Sequence, residues 1–252
     1  MNMIKTCWIC KAPADSAEHI FKKGDLVSIY GRGPYKNGNE LVRVKEGEQV
    51  NIQGPNSYIL KYENNLCKSC NTTLTQPFDI AYEKFVSWVL QNSATIIRQR
   101  FINFENIYGD NFEIIQRNLF KYFVKSVGCR IDAANHKVPD DLVNLLHRER
   151  FVTALKITFA VNEDMLLLPE SGQIGVGIGP LEGINDSMGQ THFQWRESIR
   201  WLSIFYWYAC WPNGDLGSTW IANSQHIYLG SYAPLSPKLR SELIEQVKNN
   251  SQ

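Results

Sequence analysis

Residues 7–21 read "CWICKAPADSAEHIF" and residues 66–79 read "LCKSCNTTLTQPFD". Each stretch carries two cysteines separated by two residues, Cys7 with Cys10 and Cys67 with Cys70. Two intervening residues let both sulfurs of a pair face one ion. Each pair is therefore half of a tetrahedral zinc site, and the two pairs complete a site of four thiolates. The competing reading is four unrelated cysteines, and two matched pairs in a short N-terminal region weigh against it. The 56 residues between Cys10 and Cys67 exceed the common ribbon spacing, but closure entropy grows only slowly with loop length. Closing the site draws Glu18, His19 and Asn71 into one neighbourhood: a carboxylate, an imidazole and an amide. A carboxylate and an amide oxygen suit a hard cation such as Mg2+. An imidazole beside that cation can take a proton from water near neutral pH.

The order Cys7-x2-Cys10, Glu18-His19, Cys67-x2-Cys70-Asn71 resembles the zinc-containing HNH (ββα-metal) endonucleases, with an endonuclease VII-like arrangement of motifs. The resemblance covers about residues 5–85, a third of the chain. It implies an α+β fold with an N-terminal zinc-stabilised ββα-metal nuclease domain acting on DNA. It implies His19 as the general base, with Glu18 and Asn71 holding a catalytic Mg or Mn ion. The zinc is then structural, because four thiolates leave no open position for water. There is one departure. Many family members carry a third ligand, often His, about two turns beyond the Asn, and no His stands there. Asp79 lies at the matching distance and is a candidate ligand. Its alternative is a carboxylate favoured by the dipole at a helix start. The bland reading of Glu18 and His19 is a surface pair beside a plain zinc module.

The chain has 252 residues and is 44% hydrophobic, enough for a sizeable core in one domain or two smaller ones. Its formal net charge of +1 carries no whole-chain signature of a nucleic-acid binder, so any affinity for DNA must be local. Residues 1–72 hold ten Lys/Arg against seven Asp/Glu, and within them Lys22, Lys23, Arg32 and Lys36 are candidate phosphate contacts. Arg43, Lys45, Arg98 and Arg100 extend that set, and Tyr35 is a candidate for base stacking. A solvated surface is the alternative for each. The N-terminus lacks the apolar run of a signal peptide. The most apolar stretch, "IRWLSIFYWYACW" at 199–211, falls short of the roughly 20 residues a bilayer span needs. These features predict a soluble, cytoplasmic protein with no membrane association, in which six cysteines do not form a disulfide framework. Cys129 and Cys210 read as buried small apolar residues.

The expected organisation is a nuclease domain over residues 1–102 and a mixed α/β accessory domain over 103–252. Residues 24–66 read as a long inserted loop with short strand-like pieces, "LVRVK" and "SYILKY", and a hairpin among them. Apolar residues at three- and four-residue steps predict helix from Thr72 to about Ile102, with Pro77 early in it. Ile115, Leu119, Phe123 and Val127 predict a second helix, and Pro139-Asp140 opens a third. Residues 151–195 read as strands, 199–211 as a buried helix or strand, 220–232 as strand and 239–247 as helix. "GVGIG" at 175–179 lacks a dinucleotide-binding context and reads as a close-packed strand or turn. His136, His147, His192 and His226 have no metal-type spacing. The expected activity is metal-dependent DNA hydrolysis, with antiphage defence, restriction or a mobile element as its setting. The accessory domain would bind a partner, form a homo-oligomer or position DNA. The alternatives are a non-catalytic zinc module that docks nucleic acid or protein, and a nuclease subunit gated by a partner.

Overall fold

The computed structural model describes residues 5–36, 40–45, 47–147, 151–169, 175–185 and 191–249. The first Cys pair closes a tight turn, bridged by Thr6 and Pro13. The inserted region is more ordered than a loop. It holds helix α1 (Lys23–Tyr30) and the hairpin of β1 (Leu41–Lys45) and β2 (Glu48–Ile52), paired from Leu41↔Ile52 to Lys45↔Glu48. Nothing in "KGDLVSIY" signals a helix, since Gly24, Val27 and Ile29 are weak formers and no side chain caps its start. Tertiary packing holds it instead. Leu26 buries with Tyr35, Ile52 and Leu60 in a small satellite core under the insertion.

The second Cys pair runs into a helical turn, Ser69–Leu74, which contains Cys70, and then comes α2 (Gln76–Gln91), with Pro77 in its first turn. The expected single helix to residue 102 is broken. Asn92 ends α2, α3 covers Ser93–Gln99, and Arg100 adopts a left-handed conformation that turns the chain into β3 (Phe101–Asn103). The short α4 (Phe104–Tyr108) leads into α5 (Phe112–Ala133) and α6 (Asp140–His147). The strands β4 (Leu155–Asn162), β5 (Val176–Ile178), β6 (Glu182–Asn185), β7 (Thr191–Ile199), β8 (Leu202–Tyr208), β9 (His226–Tyr228) and β10 (Gly230–Tyr232) follow, and α7 (Pro237–Asn249) closes the chain. Among the described residues β10, β4, β8, β7 and β5 lie side by side in one sheet, with β6 on the same edge of β7 as β5. All pairs in it are antiparallel except β10 with β4. The aromatic run at 199–211 resolves as strand β8, which lies between β4 and β7.

Alternation along the central strands sets the layers. Leu155, Ile157, Phe159 and Val161 of β4, and Leu202, Ile204 and Tyr206 of β8, all enter the main core. Ala160 and Phe205 bury on the other face with Leu216. Helix α5 carries the predicted stripe, with Leu119, Phe123 and Val127 fully buried. It also buries Gln116, Phe120, Val124 and Ile131, because α2 lies on one side of it and the sheet on the other. Tyr122 stacks on Tyr82 of α2 at 3.8 Å, while Phe123 meets Phe159, Tyr206 and Trp220. Each such ring buried contributes about 2 kcal/mol. One buried cluster runs from Cys7 to Leu229, so the core continues across the expected division at residue 102. In "GVGIG", Gly177 pairs with Ser198 of β7, and a Cβ there would stand 2.7 Å from the Ser198 hydroxyl.

Candidate metal centre and active site

The four cysteines lie close together and form a cluster that could bind a metal such as zinc. Their Sγ atoms all fall within 4.8 Å of one another, with Cys10 and Cys67 at 3.5 Å. A tetrahedral ion with Zn–S bonds of about 2.3 Å holds its sulfurs about 3.8 Å apart, so the set fits. Both pairs sit on turns that local hydrogen bonds close. Cys7 N donates to Ala12 O at 2.7 Å and Lys11 N to Cys7 O at 2.8 Å, while Asn71 N donates to Cys67 O at 2.9 Å. Burial pushes the Cys7 and Cys70 thiols up, and a divalent cation would offset that by stabilising the thiolates. The first hook is seated on α5. Trp8 packs its ring over Gly128, where a Cβ would fall 2.4 Å from the indole.

The clamp aligns two extended segments and a helix. Residues 16–20 run antiparallel to 60–66, bridged at Ser16↔Leu66 and His19↔Lys61. Tyr62 N donates to Glu18 O at 3.0 Å and Ile20 N to Leu60 O at 2.8 Å. The chain then passes through Cys67 and Cys70 into the turn of Asn71 and on into α2. Asn71 Nδ2 donates to Ser16 Oγ at 2.9 Å, tying the helical turn back to the ribbon. Asn71 Oδ1 is buried and has no hydrogen-bond partner among the described residues, and the same holds for His19 Nε2. Burial, then the charges of Lys61 and Lys23, lower the pKa of His19 to about 4. The imidazole is therefore neutral at pH 7, the form that can accept a proton.

Glu18 faces a group that the sequence reading missed. Lys125 of α5 reaches Glu18 Oε2 at 3.0 Å and Asp79 Oδ1 at 3.2 Å. Burial opposes its charge, but Glu18 and Asp79 outweigh that and raise its pKa above the ordinary value. Asp79 also pairs with Lys22 at 2.8 Å, and Lys22 reaches Glu83 at 3.3 Å. Glu18 and Lys125 line a small cavity of about 20 Å³, room for one water, together with two further acids, Asp25, which is buried, and Glu197, which is half-buried. Asp25 accepts from Tyr82 Oη at 2.8 Å, and burial pushes it up to about 7. Glu197 accepts from Tyr206 Oη at 2.7 Å and Ser126 Oγ at 3.0 Å, and burial raises it too. No spacing in the sequence links residues 18, 25, 79, 125 and 197.

The fit to a divalent ion differs among the expected ligands. Glu18 offers a carboxylate and Asn71 an unpaired amide oxygen, and both suit a hard cation. Asp79 is taken by two ammonium groups. Among the described residues only the four cysteines form a close cluster of three or more His, Cys or carboxylate ligands. Of the expected phosphate contacts, Lys23, Arg32 and Lys36 are exposed, whereas Lys22 is turned inward onto Asp79 and Glu83. Tyr35 is a correction: it is buried, and its hydroxyl donates to Gly31 O at 2.9 Å, so its ring is not offered to a base. Cys129 is fully buried as expected, while Cys210 is only half-buried. A larger cavity of about 810 Å³ lies between the insertion and β5. Two arginines on its wall, Arg43 and Arg130, donate to the carbonyls of Ile59 and Gly179. Among the described residues no helix is long and apolar enough to cross a membrane. Comparison with protein-family models, with curated proteins and with solved structures finds no match.

Proposed function

We propose that this chain is a metal-dependent endonuclease of the HNH (ββα-metal) type, hydrolysing DNA phosphodiester bonds. One observation carries the reading. The imidazole nitrogen and the amide oxygen that this chemistry needs free, His19 Nε2 and Asn71 Oδ1, are both buried and unpartnered among the described residues. They sit on two elements that the cysteine hooks tie together. Two antiparallel segments followed by a helix also match the order of a ββα unit, with residues 21–59 inserted between the segments. In this reading His19 accepts a proton from the attacking water at its unpartnered Nε2. Glu18 and Asn71 would hold a Mg or Mn ion, which when bound supplies Lewis-acid stabilisation of the leaving oxygen. The zinc and its hooks fix the spacing of these groups and take no part in proton transfer. Lys23, Arg32 and Lys36 would meet phosphates along the insertion.

A second reading, a zinc module that docks nucleic acid or protein without cleaving it, is favoured by one contact. Glu18 already carries a buried ammonium partner in Lys125. Plasmid cleavage with Mg2+ or Mn2+, comparing the zinc-loaded chain with His19→Ala, separates the two. Loss of a general base costs about 10²- to 10⁴-fold in rate. Cleavage by the parent chain with metal, absent in His19→Ala at equal zinc content, supports the nuclease. No cleavage of duplex, single-stranded or branched DNA by folded, zinc-loaded protein would favour the docking module.

A further inference from the structure

Lys125 sits at the centre of a set of oxygen atoms. Its side chain is 2% exposed. Around Nζ stand Glu18 Oε2 at 3.0 Å, Asp79 Oδ1 and Oδ2 at 3.2 and 3.3 Å, and Thr75 Oγ1 at 3.4 Å. Two carboxylates and a hydroxyl converging on one buried cation form a donor set of the kind that holds hard metal ions. Here the cation is the ammonium of a lysine delivered by α5. The donors come from the ribbon and from the N-cap and first turn of α2, on either side of the turn that carries Asn71. Thr75 Oγ1 in turn donates to the Asn71 carbonyl at 3.1 Å, so the lysine is linked to the turn of the proposed amide ligand as well.

We propose that Lys125 and a divalent ion compete for Glu18, so that Lys125 acts as a built-in counter-cation that sets the metal affinity of the site. The proposal rests on the endonuclease reading of Glu18 and Asn71, and it names how that site is regulated. The physical ground is charge. An ammonium 3.0 Å from Glu18 Oε2 and a divalent ion on the same carboxylate would repel each other in a poorly screened interior. One of them must withdraw. Asp79 and Thr75 give the ammonium somewhere to stay, because they can keep it paired once Glu18 is taken. Lys22 keeps Asp79 compensated at 2.8 Å. Lys125 lies outside the stretch that carries the zinc and Asn71 motifs. Any partner or ligand that shifts α5 against α2 would therefore bias the competition.

The test is a Mn2+ titration of the zinc-loaded full chain, with free Mn2+ read by electron paramagnetic resonance. It compares the parent chain, Lys125→Met and Glu18→Gln. Lys125→Met is expected to bind Mn2+ about ten-fold more tightly, an ordinary coupling between competing sites, and Glu18→Gln is expected to abolish binding. Where Lys125→Met fails to fold, Lys125→Gln replaces it in the same titration, since it keeps an N–H donor toward Glu18 but no charge. Equal affinity with and without the lysine charge, with Glu18→Gln still abolishing binding, overturns the competition and leaves the ligand pair standing. No Mn2+ bound by any of these chains overturns the ligand assignment itself, and the competition with it.

Discussion

At the scale of single residues, the site is defined by what burial does to ionisable groups. Asp25 shows this in a form that can be measured without knowing a substrate. Its carboxyl is pushed up to about 7 by burial, against the hydrogen bond from Tyr82 and the charge of Lys22, with Glu197 and Glu83 pushing the same way as burial. A carboxyl whose folded pKa lies above its unfolded one holds its proton more tightly in the native state. Its contribution to stability is complete below about pH 4 and is lost as pH rises toward 7. The loss is at most about 4 kcal/mol over that span. Asp25→Asn keeps an oxygen to accept from Tyr82 and cannot ionise. Its unfolding free energy, from urea titrations at pH 4 to 8, is expected to fall less with pH than that of the parent chain. Parallel profiles would show that Asp25 does not titrate in that window. His19 follows the same logic with opposite charge: burial and nearby lysines keep it neutral, the form a general base needs.

At the scale of elements, the cysteine cluster and the packing of α5 share the work of holding the candidate site. The hooks bring Asn71 to the ribbon, and α5 receives the first hook. Cys67→Ser removes one ligand from a cluster whose sulfurs otherwise meet within 4.8 Å. It should lose zinc and unfold the N-terminal region, read by metal analysis and circular dichroism; full zinc retention would rule out the four-cysteine site. Gly128→Ala probes the seat of Trp8, where the new Cβ would fall 2.4 Å from the indole. Overpacking of this kind costs about 1–3 kcal/mol, against about 1 kcal/mol gained in helix propensity. A lower melting temperature and faster zinc loss to a chelator are expected, and an unchanged or raised melting temperature would show that Trp8 yields easily. These elements also show what was legible in the sequence. The α5 stripe of Leu119, Phe123 and Val127 and the hooks themselves could be read directly, because spacing encodes them. Helix α1 could not, because Leu26 and the Asp25–Tyr82 hydrogen bond stabilise it from outside its own sequence. Lys125 was equally hidden. Its partners, Glu18 and Asp79, are 107 and 46 residues away in sequence, and only the packing of α5 on α2 brings them together.

At the scale of the whole molecule, the candidate site depends on residues well beyond the stretch that carries its motifs. A division at residue 102 separates α2 from α5, yet Tyr82 and Tyr122 stack across it at 3.8 Å, and Lys125 crosses it to Glu18 and Asp79. Cutting there would expose the face of α2 that carries Phe78, Ala81, Tyr82, Phe85 and Val89, all buried in the intact chain. It would also leave Glu18 without its ammonium partner and Trp8 without its seat on Gly128. A metal held by the four cysteines would secure the turns around them, but it would tie chain ends and not cover an apolar helix face. A fragment of residues 1–102 is therefore expected to bind zinc but to lack a cooperative thermal transition and to bind a hydrophobic dye strongly, the behaviour of a collapsed chain without fixed packing. The intact chain should melt in one transition without binding the dye. A fragment that melts cooperatively and excludes the dye would mean that the hooks, ribbon and α2 make a self-sufficient unit. Lys125 would then be a contact added to a finished site. Failure of the fragment would mean that α5 belongs to the site's foundation, and that whatever acts on the C-terminal half acts on Glu18 as well.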